Sequence, residues 1–186
     1  MKFSEMKYER PDLEAMKSEL RGLTEQLRAA QDYAQAREVF LRHEKASIHM
    51  ETLATLASVR HKIDTRDAFY DAEETFWNAA SPELEEYEDA WKGALLESPF
   101  RKEFEEELGD LMFVNAELAR KAFSPEFIPE CQQENDLSQA YSKLIASAQI
   151  PFEGGVYTLS QLSPFKNDPD DARRLAAWQA EGAWYK

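Results

Sequence analysis

Arg60, His61, Asp64, Arg66 and Asp67 fall within the eight positions 60 to 67 of "LATLASVRHKIDTRDAFYDAE", residues 53–73. Guanidinium, imidazole and carboxylate groups this close together could bind an anionic group, relay a proton or contribute to a metal site. They could equally brace a helical scaffold from within. What the rest of the chain supplies decides between these readings.

A metal site needs more ligands, and the obvious source is "RHEKASIHM", which holds His43 and His49. The pair His43-Glu44 invites comparison with the H-E-x-x-H helix, whose histidines stand four apart and reach one zinc. His43 and His49 stand six apart, about 600° of rotation, and so point about 120° away from one another. From one straight helix they cannot share an ion, and solvated or core-edge histidines are the ordinary reading. There is no G-x-S-x-G elbow, no phosphate-cradling glycine loop and no dinucleotide fingerprint. Cys131 lies in "IPECQQEN", where neighbouring acids raise a thiol rather than activate it. No catalytic residue, metal ligand or cofactor-binding residue is assigned in this chain.

The elements that would position the cluster are helical. On one helix Leu53, Leu56, Arg60, Asp64 and Asp67 follow steps of 3, 4, 4 and 3 and share a stripe, with Arg60 and Asp64 paired at i, i+4. If the stripe turns inward, its charges must be matched, because an unpaired buried ion costs several kcal/mol. A charged brace with Arg60 satisfied by carboxylates is the expectation; contact with a ligand stays open as the alternative. Which of Arg60, His61, Asp64 and Asp67 is buried is not fixed by the wheel.

Upstream, Pro11 and Asp12 open a helix whose Leu13, Met16, Leu20, Leu23 and Leu27 recur at helical spacing. From about 34 to 63 there is neither proline nor glycine, which predicts a second long helix. Four Ser-Pro pairs, at 81–82, 98–99, 124–125 and 163–164, each predict the end of one helix and the start of the next. Around Glu153-Gly154-Gly155 two short apolar runs predict a β-hairpin near residues 148–160. After Asn167-Asp168-Pro169 a last helix carries Leu175, Trp178 and Trp184, bulky groups with nothing downstream to cover them. The fold class expected is all-α, a multi-helix antiparallel array with that one hairpin. Residues 1–168 read as one helical region and 169–186 as the first helix of a following, truncated one.

The charge balance, 36 acidic against 22 basic residues and a net of -14, disfavours nucleic acid and anionic membranes as partners. It suits neutral or cationic peptides. A single cysteine cannot form an intrachain disulfide, and "MKFSEMKYERPD" has no apolar leader segment, so a cytoplasmic location is expected.

In "MKFSEMKYERPDLE", in "ETLATLASVRHKIDTRDAFYDAE" and in "LSQAYSKLIASAQIPFEGGVYTLSQLSPF" the chain resembles the N-terminal region of the oligoendopeptidase F branch of the thimet-oligopeptidase-like zinc metallopeptidases. The similarity covers nearly the whole sequence. It implies a helical lid that narrows access to a channel, admitting flexible oligopeptides and refusing folded proteins. It also implies a zinc site on an H-E-x-x-H helix in the C-terminal part, where metal and glutamate together activate water. The sequence ends before that helix, so none of the family's ligands or its general base maps onto a position here. The resemblance implies a zinc-dependent peptidase as parent, and this chain alone is expected to be inactive. Its expected partners are oligopeptides, the C-terminal catalytic region and, through Leu175, Trp178 and Trp184, other copies of itself. The alternative is a stand-alone acidic helical module that binds peptides or a partner helix.

Overall fold

The computed structural model describes residues 2–186, which contain eight α-helices and one two-stranded antiparallel hairpin. No described helix is long and apolar enough to cross a membrane. The chain divides into two compact units, residues 1–136 and 137–186.

In the first unit, α1 (Leu13–Ala29) starts where Asp12 accepts a hydrogen bond from the Ala15 amide at 3.0 Å; Pro11 precedes that cap instead of entering the helix. Leu20, Leu23 and Leu27 of its stripe are buried, and Leu13 and Met16 are partly so. The proline- and glycine-free run forms α2 (Tyr33–Ile63), capped by Asp32, and α3 (Ala68–Leu96) follows after four residues. Ser58 opposite Glu74 and Ser47 opposite Glu88 make α2 and α3 antiparallel. Lys17–Glu83 at 2.7 Å and Arg21–Tyr87 at 3.2 Å make α1 and α3 parallel. Two apolar clusters fill this bundle. One joins Leu20, Leu53, Trp77 and Leu84. The other joins Leu27, Phe40 and Trp91 to Phe104 of α4 (Arg101–Leu108) and Phe113 of α5 (Leu111–Ala122).

The Ser81-Pro82 pair does not start a helix. Pro82 lies inside α3, which runs through it unbroken. Proline has no N–H, so the carbonyl of Asn78 loses its partner one turn back. Side chains of α6 (Ile128–Ala146) supply donors instead: Asn135 Nδ2 to the Asn78 carbonyl at 3.1 Å, and Gln132 Nε2 to the Ala79 carbonyl at 2.8 Å. Alanine at 135 or 132 should therefore cost about 1 kcal/mol each in a urea titration. In a Pro82→Ala background the restored amide takes over the Asn78 carbonyl, and the cost of Asn135→Ala should shrink. A double-mutant cycle without coupling would contradict this account.

The other Ser-Pro pairs sit near helix starts with modified geometry. Ser98 Oγ, three residues before the start of α4, accepts from the Phe100 amide at 3.2 Å. Ser124 precedes a 3₁₀ turn, Pro125–Phe127, that feeds α6 without a side-chain cap. Ser163 closes α7 (Leu159–Leu162), and Pro164 begins the turn Phe165–Asn167.

The second unit is built on the hairpin. Strands β1 (Ile150–Phe152) and β2 (Gly155–Tyr157) pair Ile150 with Tyr157 and Phe152 with Gly155. The two loop residues, Glu153 and Gly154, both have positive φ, 47° and 80°, the geometry whose twist matches paired strands. Glycine adopts it freely at 154. Glu153 is held there by Arg173 of α8 (Asp171–Trp184), whose guanidinium donates to its carboxylate at 2.7 to 3.1 Å. Ile150, Phe152, Leu162 and Ala177 form a small core, with Phe165 and Trp184 packed at its edge. Trp184 is thus not the uncovered group its sequence position suggests. Leu175 and Trp178 are exposed, 58% and 55%, and Lys166 stands over the Trp178 ring at 4.6 Å.

Candidate functional site

The structure pulls the cluster at 60–67 apart. Helix α2 ends at Ile63, and Asp64 has extended backbone angles, φ -142° and ψ 98°, so it does not continue the stripe. Its carboxylate takes Arg66 at 3.0 Å on the surface. Asp67 is the N-cap of α3, accepting from the amides of Phe69 and Tyr70. Among the described residues Arg60 forms no ion pair with a carboxylate. It donates to Tyr70 Oη at 2.7 Å and to the Met6 carbonyl, and lies over the rings of Phe3 and Tyr70 at 5.6 and 5.5 Å. Aromatic faces and a backbone oxygen thus do for this guanidinium what acids were expected to do. His61 is buried, with Nδ1 3.8 Å from Asp71 Oδ1.

A charged brace does exist, on different residues. Glu73 of α3, 4% exposed at its side chain, accepts from Tyr8 Oη at 2.6 Å and from Arg10 Nη2 and Nε at 2.8 and 2.9 Å. Trp77 Nε1 donates to Tyr8 Oη at 3.1 Å. Burial alone pushes the Glu73 carboxyl up, but the bonds from Arg10 and Tyr8 outweigh it and hold it below the usual range. The brace straps the extended residues 6–12 onto the bundle.

A second polar group opens onto a groove of about 660 Å³ between α2, α3 and α5. His43 is 2% exposed, against the expectation of a solvated or edge position, and its ring stacks flat on Trp91, 3.8 Å between centroids and 2° between planes. Burial, with help from the charge of Lys92, lowers its pKa to about 4, so the ring is neutral at pH 7. Its Nδ1 is 3.4 Å from Ser47 Oγ, and Ser47 Oγ donates to Glu88 Oε1 at 3.2 Å. His43 Nε2 has no hydrogen-bond partner and stands 3.6 Å from the same Glu88 oxygen. That contact is too long for a hydrogen bond, and with a neutral ring it is not an ion pair. Burial raises the Glu88 carboxyl above its ordinary value.

His49 is exposed and lines a separate groove between α1 and α2 with Arg42 and Lys45. Cys131 is exposed on α6. Among the described residues no three His, Cys, Asp or Glu side chains converge in a way that could hold a metal ion. The sequence singled out His43 but gave no sign of Glu88, Trp91, Tyr8, Arg10 or Glu73 as its equals. Two of the stretches that carry the resemblance contain both halves of the Glu73 brace, and that was the available signal.

A bundle of three long helices strapped by its own N-terminal arm forms the first unit, and the hairpin unit follows it in the chain. The model of the Peptidase M3 N-terminal domain matches residues 3–123, and the chain belongs to that family. It is similar over 100% of its length to a solved protein assigned to oligoendopeptidase F, with 38% identity and a TM-score of 0.96, covering 33% of that chain. It is similar over 99% of its length to PZ peptidase A with an inhibitor, with 35% identity and a TM-score of 0.95, again covering 33%. A protein of Bacillus anthracis str. Ames, also assigned to oligoendopeptidase F, matches 99% of the chain at 35% identity and a TM-score of 0.94, with 34% of it covered. The chain spans about a third of the length of the solved structures it matches. No curated protein matches it.

Proposed function

We propose that this chain is the lid of a cytoplasmic, zinc-dependent oligoendopeptidase that hydrolyses short flexible peptides. Residues 1–168 form the lid proper, and 169–186 the helix with which the catalytic region begins. The observation that carries the reading is the 38% identity, along the whole chain, to a protein assigned to oligoendopeptidase F and three times as long. A scaffold of buried braces with open grooves suits a part that shapes access to a site and performs none of the chemistry itself.

The residues present do not fit a zinc site. His43 is stacked on Trp91, His61 sits beside Asp71 and His49 faces solvent. On this reading the metal chemistry belongs to the longer protein. Residues 1–186 should hold no stoichiometric zinc after dialysis and should leave an internally quenched peptide uncut. One tightly held zinc per chain, lost together with hydrolysis on adding a chelator, would overturn the proposal. The acidic groove beside His43 favours a second reading, a module that binds peptides without cutting them; a monomer that binds peptides saturably at low concentration supports it. Self-association through exposed Leu175 and Trp178 supports the lid instead.

A further inference from the structure

The groove between α2, α3 and α5 is lined by three carboxylates, Glu44, Glu51 and Glu88. The one cation among its lining residues, Lys92, is bound to Glu85 at 2.5 Å, and its charge reaches both Glu88 and His43 although its ammonium donates a hydrogen bond to neither. Ser47 has a single hydroxyl proton, and it goes to Glu88. The 3.4 Å contact to His43 Nδ1 is then made by the ring N–H, a tautomer assigned from the hydrogen-bond network. This leaves His43 Nε2 a bare acceptor, buried and unpartnered, 3.6 Å from a carboxylate oxygen. Glu88 Oε1 already accepts from Ser47, whereas His43 Nε2 beside it has no donor, the kind of orphaned buried acceptor that calls for a partner. Ile48, Leu108 and Leu111 also line the groove as large apolar groups, 60%, 44% and 67% exposed. The volume, about 660 Å³, lies within the range that holds small ligands.

We propose that this groove binds the basic side chain of an oligopeptide, with a lysine ammonium or arginine guanidinium held between Glu88 and His43 Nε2 and its alkyl stem laid on the apolar wall. A cation supplies N–H donors to both acceptors at once and offsets the burial of the Glu88 charge. A neutral or acidic side chain does neither, and the surrounding carboxylates repel the acidic one. The peptide half of the inference rests on the reading given above; the cation half rests on the groove alone.

Calorimetry on residues 1–186 with two blocked pentapeptides, acetyl-Ala-Leu-Arg-Leu-Ala-amide and its citrulline analogue, tests it. The arginine peptide should bind saturably and about tenfold tighter than the citrulline peptide, as expected for charge-assisted hydrogen bonds to a partly buried carboxylate. Glu88→Gln should erase that difference. Leu111→Lys, at an exposed position that leaves the core untouched, should weaken the arginine peptide several-fold, while Glu130→Gln on exposed α6 surface should change nothing. Equal binding of the two peptides, or an arginine preference that survives both groove substitutions, overturns the proposal. Arginine amide binding as tightly as the pentapeptide overturns its peptide half. Hydrolysis by the longer protein is read in a separate assay and leaves these ratios unaffected.

Discussion

Replacing Glu73 with alanine should lower stability by about 3 kcal/mol and free the N-terminal arm from the bundle. The ion pair is not the main reason. Arg10 is 48% exposed at its side chain, so its attraction is screened and contributes little by itself. The cost comes from the buried end of the network: Tyr8 Oη, which donates to Glu73 at 2.6 Å, would be left without its acceptor beside Trp77. Arg10→Ala should cost about 2 kcal/mol, because it leaves the Glu73 carboxylate, 4% exposed, with Tyr8 as its remaining donor. Trypsin cleavage after Lys7 under native conditions reads the freed arm directly; the Arg10–Pro11 bond is not a trypsin site. The carboxyl has a depressed pKa in the folded chain. Its contribution is therefore fully present above the unfolded value of about 4.3 and lost as pH falls through the folded one. The stability gap between wild type and Glu73→Ala should thus narrow below about pH 4. A gap constant down to pH 2, or an arm no more open to trypsin, would show that Glu73 is not the anchor.

What the sequence disclosed and what it hid divide along the range of the interactions. Helix α1 was legible because Leu20, Leu23 and Leu27 repeat at a local period, and α2 because nothing in residues 34–63 breaks a helix. The hairpin was legible because Gly154 marks a positive φ, although the second such residue is Glu153 and not Gly155. Pro82 was misread because the rule for a residue before proline is local, whereas the donors that keep α3 intact, Gln132 and Asn135, come from about fifty residues further on. The helical wheel failed at Asp64 for a plainer reason: it assumed that α2 continues, and the helix stops one residue earlier. The brace and the groove were beyond any local reading. Glu73 meets Tyr8 across 65 positions, and Ser47 meets Glu88 across 41. A histidine in "RHEKASIHM" shows no sign that a tryptophan will stack on it. The expectation that carboxylates satisfy Arg60 failed, because Tyr70 and the Met6 carbonyl do so, and the carboxylate brace lies on Glu73, which the local pattern did not single out.

His43 carries the other large effect, and it depends on pH. The folded chain holds the ring neutral down to about pH 4, because burial and Lys92 oppose its charge. In the unfolded chain the same ring takes a proton near its ordinary value of about 6.5. Between those limits the unfolded state binds more protons, so stability falls as the solution is acidified from about pH 6.5 towards 4. The full effect is about 3 kcal/mol. Glu88 works in the opposite sense: its raised pKa means that the cost of burying its charge is present at neutral pH and relieved as pH falls through the folded value. A single stability profile therefore mixes the two. His43→Phe separates them, since phenylalanine keeps a flat ring on Trp91 and has nothing to titrate. The stability difference between wild type and His43→Phe, from urea titrations at pH 7, 6, 5 and 4, should move steadily against the wild type below pH 6.5. Repeating the comparison in a Glu88→Gln background removes the carboxyl that faces the ring and should preserve the trend. Glu88→Gln alone should be more stable than wild type at pH 7 while losing the preference for a basic side chain, because the charge that burial penalises is the one a cationic ligand would neutralise. Parallel profiles for wild type and His43→Phe would mean that the ring titrates as freely when folded as when unfolded, and the neutral acceptor facing Glu88 would be lost with it.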